Sequence, residues 1–128
     1  MGYYFSKVLP LAFEQAVRHT TEALAEAGFG IITEIDVKDT LKKKIGVDFP
    51  NYRILGACNP ALAYEALQIE DKVGIMLPCN VVVQDVGGGK TEVSAVDPVA
   101  SMQAIDNPKL RQAAENVQAK LKKVVEAL

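Results

Sequence analysis

The chain has 128 residues, of which 49% are hydrophobic and 23% charged, and its formal net charge is −2. This length and composition suit one globular domain over residues 1–128 and exclude a disordered chain. The slightly acidic balance argues against a dedicated nucleic-acid-binding protein, and no apolar run approaches the ~20 residues that span a bilayer. We therefore expect a cytoplasmic protein whose partners are neither nucleic acids nor membranes.

Aromatic and β-branched residues at positions 2–9 predict a first strand. Pro10 then suits the first turn of a helix. The apolar residues of that helix recur at steps of three and four from Phe13 to Ala27. Gly28 follows directly, where a left-handed helix cap favours glycine.

Residues 29–37 alternate in polarity and predict a second strand with one half-solvated face. On this pattern one side of the strand carries Ile31, Thr33, Ile35 and Val37. Residues 38–46 then predict a short helix that directs Leu41 and Ile45 inward and ends at Gly46.

Residues 52–59 predict a third strand, and the pair Asn59-Pro60 predicts the start of a helix that runs to residue 69. Asparagine is a favoured cap, and proline is a favoured first helical residue. Residues 73–86 predict one long apolar strand. Because proline cannot donate to a sheet ladder, Pro78 indicates an edge, a bulge or the start of regular pairing.

Gly87, Gly88 and Gly89 precede Lys90-Thr91 and raise the question of a phosphate-binding loop. Such a loop needs another glycine five residues before its Gly-Lys-Thr triplet, and it must lead into a helix. Gln84 occupies that position, and residues 91–96 alternate as a strand does. The glycines therefore predict a hairpin turn.

The C-terminal part predicts a turn at Asp97-Pro98, a linker, and a second Asn-Pro helix start at Asn107-Pro108. One stripe of this last helix carries Leu110, Ala114, Val117, Leu121, Val124 and Leu128. The stripe is typical either of a packed core helix or of a seam shared with a partner.

The order of predicted elements indicates an α+β fold. Long helices stand at either end of a series of strands, with short helices between them. We expect a curved antiparallel sheet with the long helices packed on one face.

Two Cys-Asn pairs contain the candidate functional residues: Cys58, Asn59 and Pro60 in one, Cys79 and Asn80 in the other. Each pair lies where a predicted strand meets neighbouring structure. A thiolate near a helix start is stabilised, so thiol chemistry at Cys58 is one interpretation, and ligand binding around these turns is another. The third is purely structural, because cysteine packs as a small hydrophobe and a helix cap is sufficient reason for Asn59.

Other catalytic arrangements lack the necessary residues. The only histidine, His19, lies off the apolar stripe of its helix, so a catalytic triad has no base. Two thiols are too few for a zinc site, and we expect no metal or cofactor. Glu34 and Asp36 share one side of the second strand, which is typical of the solvated side of a sheet.

Several motifs, in the same order along nearly the whole chain, resemble the bacterial and archaeal family known as domain of unknown function 302. They are Gly28-Phe29, Glu34-Ile35-Asp36-Val37, Leu55-Gly56-Ala57-Cys58-Asn59-Pro60 and Leu77-Pro78-Cys79-Asn80. The resemblance implies a TATA-box-binding-protein-like fold with a five-stranded antiparallel sheet and a strand–helix–four-strand–helix plan. The short helices at 38–46 and 60–69 are then insertions. It also implies a homodimer, but it implies no activity.

Three functions stay open on this evidence. The one we favour is a non-catalytic dimeric module that binds a small molecule or partner in the concavity between sheet and terminal helix. The second is a thiol-dependent redox or sulfur-handling protein that uses Cys58 and Cys79. The third is a structural or assembly protein in which the stripe of the last helix mediates association.

Overall fold

The computed structural model describes residues 2–128 and contains one five-stranded antiparallel sheet. In chain order its elements are β1 (Tyr4–Leu9), α1 (Phe13–Glu26), β2 (Gly30–Asp36), α2 (Val37–Ile45), β3 (Tyr52–Cys58), α3 (Pro60–Ile69), a 3₁₀ helix (Asp71–Met76), β4 (Cys79–Gly87), β5 (Lys90–Val96), α4 (Pro98–Ser101) and α5 (Pro108–Ala127). The strands lie in the order β1-β5-β4-β3-β2. The predicted α+β class and the antiparallel sheet are confirmed.

The two long helices, α1 and α5, cover one face of the sheet. Strand alternation sends Val81 and Val83 of β4 and Val93 of β5 into this core. Leu121 of α5 is fully buried against them, and burying a leucine stabilises the fold by roughly 1.5–3 kcal/mol. The apolar stripe of the last helix therefore packs into the core. This is the first of the two interpretations of the stripe, a packed core helix and not a seam shared with a partner.

A second, smaller core joins α3, the 3₁₀ helix, α4 and the first turns of α5. Its buried residues are Ala66, Val73, Met102, Leu110 and Ala114. This core adjoins the end of the sheet where β3 leaves and β4 begins. It positions α3 opposite α5, which is the arrangement that creates the candidate site.

Both predicted Asn-Pro helix starts are confirmed. Asn59 Oδ1 accepts a hydrogen bond of 3.2 Å from the Leu62 N–H, and Asn107 Oδ1 accepts one of 3.0 Å from the Lys109 N–H. The turn predicted at Asp97-Pro98 is instead the start of α4, because the Asp97 carboxylate caps that helical turn in the same way.

The triple-glycine segment is the predicted hairpin turn between β4 and β5. Gly87, Gly88 and Gly89 have φ values of 85°, 64° and 75°, a region in which other residues are strained. The chain continues into β5 and not into a helix. The phosphate-loop interpretation is therefore excluded by the structure as well as by the sequence.

Three expectations from the sequence about where elements begin and which way they face are wrong. Pro10 lies ahead of α1, which begins at Phe13. Ile45 is 67% exposed and does not point inward, although Gly46 ends α2 with φ 69° as predicted. Residues 73–76 belong to the 3₁₀ helix and not to a long strand, because Val73 is buried in the second core; β4 begins only after Pro78.

A bulge in β2 overturns the predicted alternation of that strand. Ile31 pairs with Ala57 and Thr33 with Gly56, so the register shifts between them. Directly paired residues share a face. Ile31 therefore packs against the helix-covered core, whereas Ile35 is on the open face and 48% exposed.

Candidate functional site

A cavity of about 350 Å³ opens to solvent between the end of the sheet, α3 and α5. From α3 it is lined by Leu62, Ala63, Ala66 and Leu67. From α5 it is lined by Leu110, Ala113, Ala114 and Val117. The sheet end adds Phe29, Ala57 and Pro78, and no residue of the lining is charged. The site is therefore an almost wholly apolar chamber, and the small alanines on both helices account for its volume.

Three of the five predicted candidate residues, Cys58, Asn59 and Cys79, line this cavity. Pro60 does not line it; as the first residue of α3 it is exposed. Asn80 faces the other side of the sheet, where it borders a shallow groove beside Tyr52. The two Cys-Asn pairs therefore share one site, to which both cysteines contribute but only one of the two asparagines, Asn59.

The sheet register brings the two cysteines together. Ala57 of β3 pairs with Cys79 of β4, so Cys58 lies one position beyond that pair, at the end of the ladder. Both thiols are free. Burial raises the pKa of the Cys79 thiol to about 11, and the neighbouring Cys58 adds to the rise. Cys79 is therefore a neutral thiol at physiological pH.

Asn59 is the one polar side chain with an amide at the cavity edge. Its oxygen is held by the capping bond from Leu62, which fixes the amide orientation. Its nitrogen lies against Gly28, the glycine that ends α1 with φ 91°. The end of the first helix and the start of the third thus meet at this residue.

Gly56 of β3 does not line the cavity, but it allows close packing against Pro78, which does. A β-carbon at this position would overlap Thr33 Oγ1 and lie 2.7 Å from Pro78 Cγ. The absence of a side chain therefore lets β2 and the segment before β4 close on the strand. No role was predicted for this glycine, although a glycine inside an apolar strand is itself a signal of close approach.

The alanines of the cavity wall were also missed as functional candidates. Ala63 and Ala66 lie about one turn apart on α3, and Ala113 and Ala114 lie on the facing side of α5. Each separately is an ordinary helix residue. The only signal in the sequence is the small size of these residues. It could not be used, because the sequence does not show that the two helices are neighbours.

The paired carboxylates belong to an ion-pair cluster away from the cavity. Arg53 lies 3.4 Å from Glu34 Oε1 and 3.8 Å from Asp36 Oδ2, and it donates to Glu14 Oε1 at 2.9 Å. The hydrogen bond with Glu14, helped by the charges of the other two carboxylates, raises the pKa of Arg53. Glu34 and Asp36 share a side of β2 as predicted, and their partner is this guanidinium. That side is not the open face of the sheet, because Glu34 pairs with the buried Leu55.

His19 is exposed on α1, as expected. Among residues 2–128 there is no group of three or more His, Cys, Asp or Glu side chains placed to hold a metal ion together. Within the same residues, no helix combines the length and apolar character needed to cross a membrane.

The comparisons with known proteins establish the family. A family model described as Domain of unknown function DUF302 matches residues 5–128, and the chain therefore belongs to this family. The structure is similar to the crystal structure of an uncharacterized conserved DUF302 protein from Bacillus stearothermophilus, with a TM-score of 0.90, 25% sequence identity and 98% of each chain covered. No curated protein matches the chain. The predicted family is confirmed.

Proposed function

We propose that this DUF302 protein is a non-catalytic module that binds a small molecule in the cavity between the sheet, α3 and α5. The observation that carries the proposal is the cavity of about 350 Å³ with its apolar lining. Ligand sites typically occupy roughly 300–1,000 Å³ and are mostly apolar with few polar groups.

The size of the cavity matters because protein interiors are normally close-packed. Few voids larger than a water molecule occur in a domain. An apolar cleft that opens to solvent also leaves its lining in contact with water, at a cost of roughly 25 cal/mol per Å². Larger residues at Ala63 or Ala113 would fill the space, so a chain that used this region only for packing would gain stability from them. A ligand that takes the place of those side chains explains the small residues.

Thiol chemistry is the second candidate function, and the shared cavity of Cys58 and Cys79 is the observation in its favour. The thiolate is the reactive form of cysteine, and the raised pKa of Cys79 keeps that sulfur protonated. In the binding proposal both sulfurs serve as part of an apolar wall, which is a common role of buried cysteine.

The test fills the cavity from α3. The variant Ala63→Phe places a ring in the chamber, whereas Ala61→Phe places the same ring on the exposed side of the same helix. Each protein is purified from the source cells, and native mass spectrometry detects retained small molecules. The neutral probe 2-acetylnaphthalene is then titrated into ligand-free protein, with the melting temperature as readout. We expect the wild type and Ala61→Phe to retain or bind a molecule and Ala63→Phe to lose that ability.

Two results would contradict the proposal. One is that the wild type carries no small molecule and no probe shifts its melting temperature. The other is that Ala63→Phe, shown to be folded by circular dichroism, binds as the wild type does. In the second case the ligand occupies a different surface.

A homodimer is a separate part of the proposal. It is supported by the exposed apolar side chains on the uncovered face of the sheet, among them Tyr4, Val8 and Ile35. Light scattering of the wild type measures the subunit number. Val82→Lys, at the centre of that face, should reduce the mass to that of a monomer, while Ile75→Lys on the exposed 3₁₀ helix should not. A dimer unaffected by Val82→Lys would place the interface elsewhere.

A further inference from the structure

The lining of the cavity discriminates against charged ligands. No Lys, Arg, Asp or Glu contributes to it, and the apolar side chains continue to its mouth, where Ile32 is 62% exposed and Leu67 is 41% exposed. An ion that enters such a site loses its hydration and finds no opposite charge. Anions and cations are both excluded for this reason.

The volume of the cavity sets the size of the ligand. A cavity of ~150 Å³ lined by aliphatic and aromatic side chains holds benzene. The present cavity has about 350 Å³, somewhat more than twice that volume. A ligand that fills it has on the order of a dozen non-hydrogen atoms.

Asn59 gives the site one polar preference. The backbone N–H of Leu62 can only donate, so the Asn59 oxygen must face it, and the amide NH₂ must point away. The capping bond is the only hydrogen bond that this side chain makes among residues 2–128. The amide NH₂, which lies beside Gly28 and makes no hydrogen bond among residues 2–128, is therefore the donor that Asn59 can offer to a ligand that reaches this edge of the cavity.

We propose that the ligand is a neutral, mainly hydrocarbon molecule of about a dozen non-hydrogen atoms, with one hydrogen-bond acceptor placed at the Asn59 amide. The inference rests on the proposed binding function and specifies the chemical class that the cavity takes. A ketone, an ether or an ester on a hydrocarbon frame meets this description, whereas a carboxylate, a phosphate or an amine does not.

Three probes with one ring system test the inference: 2-acetylnaphthalene, 2-ethylnaphthalene and 2-naphthoate. They differ in the acceptor and in the charge but little in size. The chain contains no tryptophan, so naphthalene fluorescence reports binding directly. At about pH 8, we expect 2-acetylnaphthalene to bind at least tenfold more tightly than 2-naphthoate, because the carboxylate must shed its water.

The role of Asn59 is tested with Asn59→Asp, whose ionised carboxylate keeps the capping oxygen but has no hydrogen to donate. We expect the ratio of acetylnaphthalene affinity to ethylnaphthalene affinity to fall about fivefold, the effect of one hydrogen bond. Asn59→Gly, which lacks the donor and is tolerated at a helix cap, serves if the aspartate variant does not fold. The comparison with 2-naphthoate needs only the wild type.

The outcomes separate this inference from the function on which it rests. Equal affinity for 2-naphthoate and 2-acetylnaphthalene would overturn the neutral class while leaving binding intact. If the ratio of acetylnaphthalene affinity to ethylnaphthalene affinity is unchanged in the folded Asn59 variants, the ligand has no acceptor bound at the Asn59 amide, and that part of the inference is overturned. Failure of every probe, together with the absence of any molecule retained from the source cells, would overturn the proposed function itself.

Discussion

Gly28 and Asn59 are in contact at the edge of the cavity: a β-carbon on Gly28 would lie 3.0 Å from the Asn59 amide nitrogen. Gly28 also has φ 91°, a conformation that side chains other than glycine rarely adopt. The end of α1 and the start of α3 therefore constrain each other. The position of the amide donor depends on the absence of a side chain at residue 28.

Gly28→Ala should destabilise the protein by about 2 kcal/mol or more, because the strain of positive φ adds to the contact with Asn59. Gly46→Ala is the matched control. Gly46 ends α2 at φ 69°, but a β-carbon there meets no atom within 4 Å. Its loss should be about 1 kcal/mol, from strain alone. Urea unfolding measures both variants, and equal losses would show that the contact with Asn59 adds nothing.

Gly56→Ala should cost about 2–3 kcal/mol, the upper part of the usual range of about 1–3 kcal/mol for forcing extra atoms into a packed region. The new methyl group would overlap Thr33 Oγ1 and press on Pro78 Cγ. Adding Thr33→Ala removes the hydroxyl and should recover about half of the loss, because the contact with Pro78 persists. The double-mutant cycle is measured by urea unfolding. Strictly additive effects of the two substitutions would contradict the proposed overlap.

Local signals explain what the sequence predicted well. The Asn59-Pro60 and Asn107-Pro108 helix starts, the cap at Gly46 and the hairpin at Gly87 to Gly89 each depend on the conformational preferences of a few adjacent residues. Such preferences act before any tertiary contact forms. The motifs that resembled the DUF302 family added the number of strands, and the structure has that number.

Long-range contacts explain what the sequence did not predict. The apolar run at 73–86 is compatible with a strand or with a buried helical turn, and the packing of Val73 in the second core selects the helical turn. The bulge after Ile31 depends on pairing with β3 and leaves no mark in the alternation of β2. The cysteines could be marked as candidates, but their meeting in one cavity needed the register of Ala57 with Cys79.

Arg53→Gln should destabilise the protein by about 1–2 kcal/mol at low ionic strength. The substitution removes the partner of three carboxylates and leaves them facing one another, and it also removes the guanidinium that lies 5.1 Å from the centre of the Phe13 ring. The carboxylates are about half exposed, so solvent screening keeps the effect modest. Urea unfolding at about 0.5 M NaCl should show a smaller loss, because salt screens exposed charges.

The exposed Arg18 on α1 provides the control for this measurement. Arg18→Gln changes the net charge equally, but a surface substitution without specific contacts should stay within about 0.5 kcal/mol. If both arginine variants lose the same stability, the cluster around Arg53 has no specific effect. A loss in Arg53→Gln that salt leaves unchanged would assign the effect to packing on Phe13.

The neutral thiol of Cys79 makes stability depend on alkaline pH. Its pKa is raised by burial from 9.0 to about 11 in the folded protein. Well below pH 9 the thiol is protonated in both states, and its contribution to stability is complete. Between pH 9 and 11 the unfolded chain releases the proton while the folded chain keeps it. The free energy of unfolding should then fall by about 1.4 kcal/mol per pH unit from this group.

Cys79→Ala should therefore flatten the pH dependence of stability. Other groups also titrate in this range, so the informative quantity is the difference between the wild type and the variant, measured by urea unfolding from about pH 8 to 11. The wild type should lose on the order of 2–3 kcal/mol more than Cys79→Ala over this interval, because the variant has no thiol to ionise.

Iodoacetamide should likewise modify Cys79 slowly near neutral pH and faster as the pH approaches 11, since the thiolate is the nucleophile. Parallel stability profiles together with rapid modification of Cys79 at pH 7 would show that this sulfur is ionised in the folded protein, and would favour thiol chemistry over an apolar binding wall.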